Sequence, residues 1–307
     1  MNKVGQLVVG LILALIAVTG FASTFIFGAA LTKNHHVSPM VLACLRYFIA
    51  GSVLFVVEVS RAESRRKLFA PRGRDWVKMA WIAPIGTFLM AWAVFKGCAL
   101  VSAANASMAD ALTPLMIFVV VALRARRIEP KELFGLICGF IGALLVIQVL
   151  TKDGLQLSSY SMGDVYVLLA AATWGVYTAF GRELIKRKRI GCSVFSTWTA
   201  LIGSGFAALF LPFGTYDWPD SWQAWGLLVG LGLIGTLLPL WTWNAAQKYL
   251  PMSVLGVSAY FTPVIAVLLA MAFLDESATL LQWIGTLFII ASAVVETGRT
   301  KREGGHR

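Results

Sequence analysis

The stretch 86-GTFLMAWAVFKGCALVSAANASMADALTP-114 returns 149 positions later, without a gap, as 235-GTLLPLWTWNAAQKYLPMSVLGVSAYFTP-263. Gly86/Gly235, Thr87/Thr236, Leu89/Leu238, Trp92/Trp241, Thr113/Thr262 and Pro114/Pro263 are identical pairs. Apolar helices share residues by chance, but Trp and Pro held at one offset mark an internal repeat.

Working outward from the two blocks, the chain divides into apolar runs about 20 residues long, the length a bilayer core demands of a helix. Ten such spans are read, at 5–31, 39–59, 76–96, 102–123, 132–151, 163–182, 194–213, 223–247, 252–274 and 278–297. Inside lipid each span must satisfy its own backbone, so helices are the expected elements. The composition agrees: 58% of residues are hydrophobic and 13% charged, with a mean hydropathy of +0.77. A soluble domain carries about twice that share of charge. The polar stretch 152–162 divides the chain into a first half, 1–151, and a second, 163–297, followed by a basic tail, 298–307.

The net charge of +11 invites a nucleic-acid reading, which the placement of the charge excludes. With the N-terminus cytoplasmic, 22 of the 26 Lys and Arg fall in the tails and inward loops, three fall outside, and Arg46 lies within a span. This asymmetry is the positive-inside pattern, and it puts both termini in the cytoplasm. Val4–Leu31 is too long for a signal-peptide core and reads as a retained first span. Cys44, Cys98, Cys138 and Cys192 have no ligand-like spacing.

Five spans per half is an odd number, so the halves must cross the membrane in opposite senses. The expected fold is an all-α polytopic membrane protein of ten transmembrane helices in two inverted five-helix repeats, a common plan for secondary transporters. After the repeated Thr-Pro the first half reads RARRIE and the second LDES, basic where the loop faces inward and acidic where it faces outward.

Gly235-Thr236, Trp241-Thr242-Trp243, Pro263, Asp275-Glu276 and Gly285 form an ordered set, echoed in the first half by Gly86-Thr87, Trp92, Pro114, Gly135 and Gly142. Together with Arg46 in RYFIAG, the set resembles the EamA type of the drug/metabolite transporter superfamily over essentially the whole chain. The chain departs from that pattern at Arg126 and Arg127, where an acid is expected, and at Thr19-Gly20, where the second half has Trp174-Gly175. The resemblance implies secondary transport of a small-molecule solute. The family's substrates range over amino acids, other metabolites, drugs and, more distantly, nucleotide sugars, so the solute stays open.

Several intramembrane residues are candidates for that work. Asp110 shares a small-residue stripe with Ser102, Ala106 and Thr113, and a carboxylate at that depth needs a cavity or a partner. Arg46 lies about 10 Å into its span and Asp110 about 12 Å into its own, counting about 1.5 Å per residue from the outer ends. The pair reads either as a coupling and gating device, with proton coupling resting on Asp110, or as a permanent bridge. Trp92, Trp174, Trp241 and Trp243 lie deep within spans. With Asn105, Asn244 and Tyr260 they form the candidate substrate-binding set, suited to an amphipathic or aromatic solute, against the plainer reading of bundle packing. Pro84, Pro114, Pro239 and Pro263 read as hinges or static kinks; Pro239 removes the N–H that would serve a carbonyl four residues earlier. Gly135-xxx-Gly139, with Gly142, and Gly226-xxx-Gly230 read as close-packing sites in a monomer or weak homodimer.

No HExxH, GxSxG or phosphate-cradling GK[ST] occurs, and His35, His36 and His306 lie outside the spans, so neither an enzyme nor a cofactor is read. The expectation is a multi-pass protein of the bacterial inner membrane that moves small organic solutes, as an exporter, by alternating access. The alternatives are a flippase of an amphiphile and a non-transporting scaffold.

Overall fold

The computed structural model describes residues 3–100, 113–125, 130–146, 150–151, 154–155, 162–187, 190–262, and 264, 265, 268, 280, 283–285, 287, 288 and 291. Each of the ten expected spans contains helix among these residues. Among the described residues, five helices are long and apolar enough to cross a bilayer: Val4–Asn34, Pro39–Ser60, Gly73–Leu100, Gly191–Phe213 and Trp222–Ala246. They correspond to spans 1, 2, 3, 7 and 8. Span 4 is described over Thr113–Ala125, span 5 over Pro130–Val146 and span 6 over Met162–Ile185. Span 9 begins with Met252–Ser258.

Ends differ from the sequence reading by a few residues. Span 1 runs on through the π-helical turn Ala30–Asn34, and span 3 starts at Gly73 rather than 76. Asp75 explains the earlier start of span 3: its Oδ2 accepts from the backbone N–H of Arg72 at 3.0 Å, capping the helix ahead of its apolar run. Leu150–Thr151 pairs antiparallel with Gly154–Leu155 between the halves, a two-residue ladder and the only strand pairing among the described residues.

The helices present apolar side chains outward, as a bilayer requires. On span 1, Val8, Ile12 and Leu15 are exposed at helical spacing, while Ala14, Ala17 and Val18 are buried on the opposite face.

Packing repeats the internal symmetry. Span 1 packs on span 8 and span 3 on span 6, while span 2 packs on span 7 and span 4 on span 9. Exchanging the halves swaps the first two pairs and returns each of the others to itself, the behaviour of a pseudo-twofold axis. The backbone keeps the same symmetry. Spans 3 and 8 each break into π-helix, at Pro84–Leu89 and Leu233–Leu237, and the two segments begin 149 residues apart. In each, the repeated threonine is buried and returns its hydroxyl to the helix: Thr87 Oγ1 donates to Ala83 O and Thr236 Oγ1 to Leu231 O, both at 2.7 Å. π turns of this kind recur at functional sites.

Small residues allow the broken helices to approach their partners. A Cβ on Gly20 would lie 2.8 Å from Pro239 Cδ, so span 1 can take span 8 at its kink only with glycine there. Gly86 serves the same purpose against the Cβ of Tyr177. The Gly226-xxx-Gly230 reading holds in part: Gly230 faces the ring of Phe27, but Gly226 is exposed with nothing within 4 Å. Among the described residues nothing packs against span 8 at that point.

Candidate functional site

A cavity of about 540 Å³ of atom-free space, mouth included, lies between the halves. The first half lines it with Phe21, Thr24, Phe25, Arg46, Met90, Val94 and Thr113, and the second with Ala170, Trp174, Trp243, Ala259 and Thr262. Its walls are mostly apolar and aromatic. Phe21 meets Trp174 edge-on at 5.3 Å between ring centroids and Trp243 at 5.8 Å, while Trp174 stacks on Tyr177 at 4.8 Å.

Arg46 is the charged group in this lining among the described residues, and it is only 2% exposed. Its Nε donates to Thr236 Oγ1 at 2.8 Å and its Nη2 to the carbonyl oxygen of Gly235 at 3.2 Å. That carbonyl is the one to which Pro239, four residues on, cannot offer an N–H, and it also accepts from Thr24 Oγ1 at 2.8 Å. The rings of Tyr47 and Phe95, 4.9 and 5.2 Å from the guanidinium carbon, hold the cation through their π faces. Nη1 is buried with no hydrogen-bond partner among the described residues.

On one side of the cavity the second half closes into a hydrogen-bonded layer. Asn244, fully buried, donates to Tyr177 OH at 2.9 Å and to Ser196 Oγ at 2.8 Å, and its Oδ1 accepts from Gln247 Nε2 at 3.0 Å. Tyr177 OH and Thr199 Oγ1 are 3.2 Å apart, and Trp243 Nε1 donates to Thr178 Oγ1 at 3.2 Å. Beyond this layer, at the end carrying the basic loops, lies an ionic clasp between the halves. Arg187 pairs with the buried Asp75 and with Glu183, the latter at 2.7 Å, and Lys78 Nζ pairs with Glu183 at 2.8 Å. Glu183, in the last turn of the Met162–Ile185 helix and just past the apolar run 163–182, is held below the usual carboxylate range, chiefly by the hydrogen bond from Lys78 and further by Arg187 against a partial desolvation. At the opposite end, Ser38 N donates to Asp217 O at 3.0 Å and Asp217 N to Ser38 Oγ at 2.9 Å, joining loops of the two halves.

Among the residues singled out from sequence, Arg46, Trp174 and Trp243 come together in the cavity lining. Asn244 lies in the layer beneath, and Tyr260 is fully buried outside the lining. Trp92 packs edge-on against Tyr166 at 5.4 Å, and Trp241 Nε1 donates to Ser193 Oγ at 2.9 Å; both are half-buried and outside the lining. Pro84 opens the first π segment, Pro239 lies two residues past the second, and Pro114 is buried near the start of the described part of span 4. Asn105, Asp110 and Pro263 lie outside the described residues, so the Arg46–Asp110 pairing falls outside them too. Sequence reasoning passed over Phe21, Thr24 and Phe25. Their signal was a Phe-x-x-Thr-Phe pattern beside Gly20, on a span with no proline or charge to draw notice.

The description "EamA-like transporter family" matches this chain twice, over residues 8–148 and 161–297. The chain is 25% identical over 277 residues to the aromatic amino acid exporter YddG of Ancylobacter novellus, covering 89% of this chain and 92% of that protein. It is 24% identical over 272 residues to the uncharacterized transporter YoaV of Bacillus subtilis, covering 86% and 88%. It is 28% identical over 166 residues to the threonine/homoserine exporter RhtA of Salmonella typhimurium, covering 52% and 54%. A crystal structure 23% identical in sequence superposes with a TM-score of 0.74 over 96% of this chain and 98% of that one, a likeness of fold. Two matches that together span most of the chain, on a fold of paired helical repeats, make this multi-pass membrane protein a member of the EamA-like transporter family.

Proposed function

We propose that this protein is a secondary active transporter that exports small organic solutes, amino acids or amphipathic and aromatic compounds, by alternating access. It would lie in a bacterial inner membrane with both termini cytoplasmic. The observation that carries the reading is the cavity itself: both halves line it, and Arg46 of the first half is hydrogen-bonded to the π break of the second. A rocking motion of one half against the other would have to remake those bonds, so the cavity and the relative position of the halves are mechanically linked. On the proposed orientation the Asn244 layer and the Asp75–Arg187–Glu183–Lys78 clasp close the cytoplasmic side of the cavity. Two relatives named as amino acid exporters support the direction and the solute class.

In this reading Trp174 and Trp243 contact the solute, the π breaks beside Pro84 and Pro239 act as hinges, and the ionic clasp is the inner gate. The intramembrane carboxylate Asp110 is assigned coupling to protons. Purified protein in liposomes should exchange labelled amino acids or aromatic solutes against an internal pool, and should accumulate them when a pH gradient is imposed. Exchange without a response to the gradient would remove the proton from the scheme. No exchange of any solute across a broad panel would remove transport itself.

A further inference from the structure

At the end of the fold that carries the clasp, the connection between spans 2 and 3 holds an excess of positive charge. Over residues 61–74 it has Arg61, Arg65, Arg66, Lys67, Arg72 and Arg74 against one acid, Glu63, a net charge of +5. All six cations are exposed. Glu63 is taken by Lys67 one turn on, so the five arginines are left without a matching acid in the connection.

Apolar side chains stand on the same faces as these arginines. The short helix Ala62–Leu68 carries Arg65 and Arg66, and Phe69, a turn beyond them, is 61% exposed. On span 3, Arg74, Val77 and Trp81 recur at helical spacing, with Val77 67% and Trp81 37% exposed. Exposed apolar and indole side chains at the end of a span belong in hydrocarbon or at its boundary. At about 1.5 Å per residue, Arg74 then lies about 4.5 Å further out than Val77, at the level of the headgroups. A soluble polyanion would match the arginines and leave Phe69, Val77 and Trp81 in water; an anionic lipid matches both.

The connection is also fixed to the second half at two points. Trp198 of span 7 donates its Nε1 hydrogen to Leu68 O at 2.9 Å, and its ring meets Trp76 and Phe69 edge-on at 4.8 and 6.2 Å. Asp75, the residue after Arg74, pairs with Arg187 in the clasp. We infer that this surface binds anionic phospholipid headgroups of the leaflet it faces, with Arg65, Arg66 and Arg74 on the phosphates and Phe69, Val77 and Trp81 against the acyl chains. A headgroup held there steadies the segment that delivers Asp75 to the clasp. The inference needs a protein that spans a bilayer and takes nothing from the transport reading, so failure of transport would leave it standing.

Native mass spectrometry of the purified protein in neutral detergent tests it with phosphatidylglycerol, phosphatidylcholine and glycerophosphoglycerol, the first headgroup without its chains. Phosphatidylglycerol is expected to bind at least about tenfold tighter than phosphatidylcholine, and less so as salt rises. Arg65→Gln, Arg66→Gln and Arg74→Gln together should remove that preference, at about fivefold per cation near an anionic surface. Arg299→Gln, Lys301→Gln and Arg302→Gln, which take the same charge from the tail, should leave it in place. In nanodiscs, backbone hydrogen exchange of the unmodified protein over residues 61–76 should be slower in an equal mixture of the two phospholipids than in phosphatidylcholine alone. That comparison decides the matter even if the triple variant does not fold. Equal binding of the two phospholipids, or exchange over 61–76 indifferent to phosphatidylglycerol, would overturn the site. A loss of preference in the tail variant as large as in the loop variant would overturn its location. Glycerophosphoglycerol bound as tightly as the intact lipid would overturn its assignment to the membrane.

Discussion

Arg46 and Gly235, 189 residues apart in sequence and in opposite halves, are joined by a hydrogen bond of 3.2 Å from Nη2 to the backbone carbonyl. The bond exists because Pro239 cannot supply the N–H that an α-helix would direct at that carbonyl. A feature of local covalent chemistry in span 8 thus becomes an attachment point for span 2, and Thr24 of span 1 uses the same oxygen. Three spans meet at one atom beside the cavity.

This junction predicts unequal effects of two conservative changes. Thr24→Val removes one of two donors to Gly235 and should cost about 0.6–1.7 kcal/mol, the range measured for hydrogen bonds between membrane helices. Thr236→Val removes the acceptor of a charged donor and should cost more, about 1.5–3 kcal/mol, with solute affinity reduced as the guanidinium loses its brace. Thermal melting in nanodiscs and solute titration check the pair; equal small losses would show that Arg46 is held by its aromatic neighbours alone.

The tryptophans separate into two groups. Trp174 lines the cavity, so Trp174→Ala should lower exchange at least about tenfold while the protein still purifies as a folded species, in line with the loss of a central aromatic contact. Trp92 packs on Tyr166 away from the cavity, so Trp92→Ala should lower thermal stability by about 3–5 kcal/mol at most, with a solute affinity close to wild type. Counterflow rates set beside melting curves distinguish the two; the reverse pattern would move the site.

Gly86→Ala tests the close approach of spans 3 and 6. The new methyl would collide with Tyr177, and overpacking of this kind costs about 1–3 kcal/mol. Gly226→Ala, with open space around it, should change melting by no more than a few tenths of a kcal/mol. Comparable stability of the two variants would contradict the packing of these spans.

Much of this was legible in the sequence, and the limits have physical causes. Ten spans followed from hydrocarbon thickness and the run lengths, and the pseudo-twofold pairing from the 149-residue repeat, because both are written in residue type and spacing. Arg46 stood out because an intramembrane charge is expensive, and Trp174 and Trp243 because indoles belong at interfaces unless something holds them deeper. The sequence could not show that Trp241 would turn its N–H to Ser193 while Trp243, two residues on, faced the cavity. On a helix broken by a π turn the 3.6-residue period no longer assigns faces. The Asp75–Arg187 and Lys78–Glu183 pairs were equally hidden, since surface charges in loops look alike until the packing of spans 3 and 6 brings them together.

That clasp gives a pH dependence. The ionised Glu183 is favoured in the folded state by Lys78 and Arg187, so its folded pKa lies below its unfolded one. Its contribution to the clasp is therefore complete above the ordinary carboxylate range of about 4.3 and is lost as the pH falls through the depressed folded value. Glu183 is partly exposed, so screening makes the effect modest and salt-sensitive. Melting temperature followed from pH 7 downward should fall more in wild type than in Glu183→Gln, where the dependence should flatten. Parallel curves would show that Glu183 does not hold the halves together.

Ala259 lines the cavity in span 9, and in a background with the four native cysteines replaced it gives a single reporter as Ala259→Cys. Sealed vesicles of known orientation are treated from one face or the other with a membrane-impermeant thiol reagent. The account predicts labelling from the outer face while the Asp75–Arg187–Glu183–Lys78 clasp is intact, and labelling from the cytoplasmic face once Asp75→Asn and Glu183→Gln release it. Labelling of the intact protein from both faces at once, or of either form from neither, would contradict a central cavity opened alternately by the two halves.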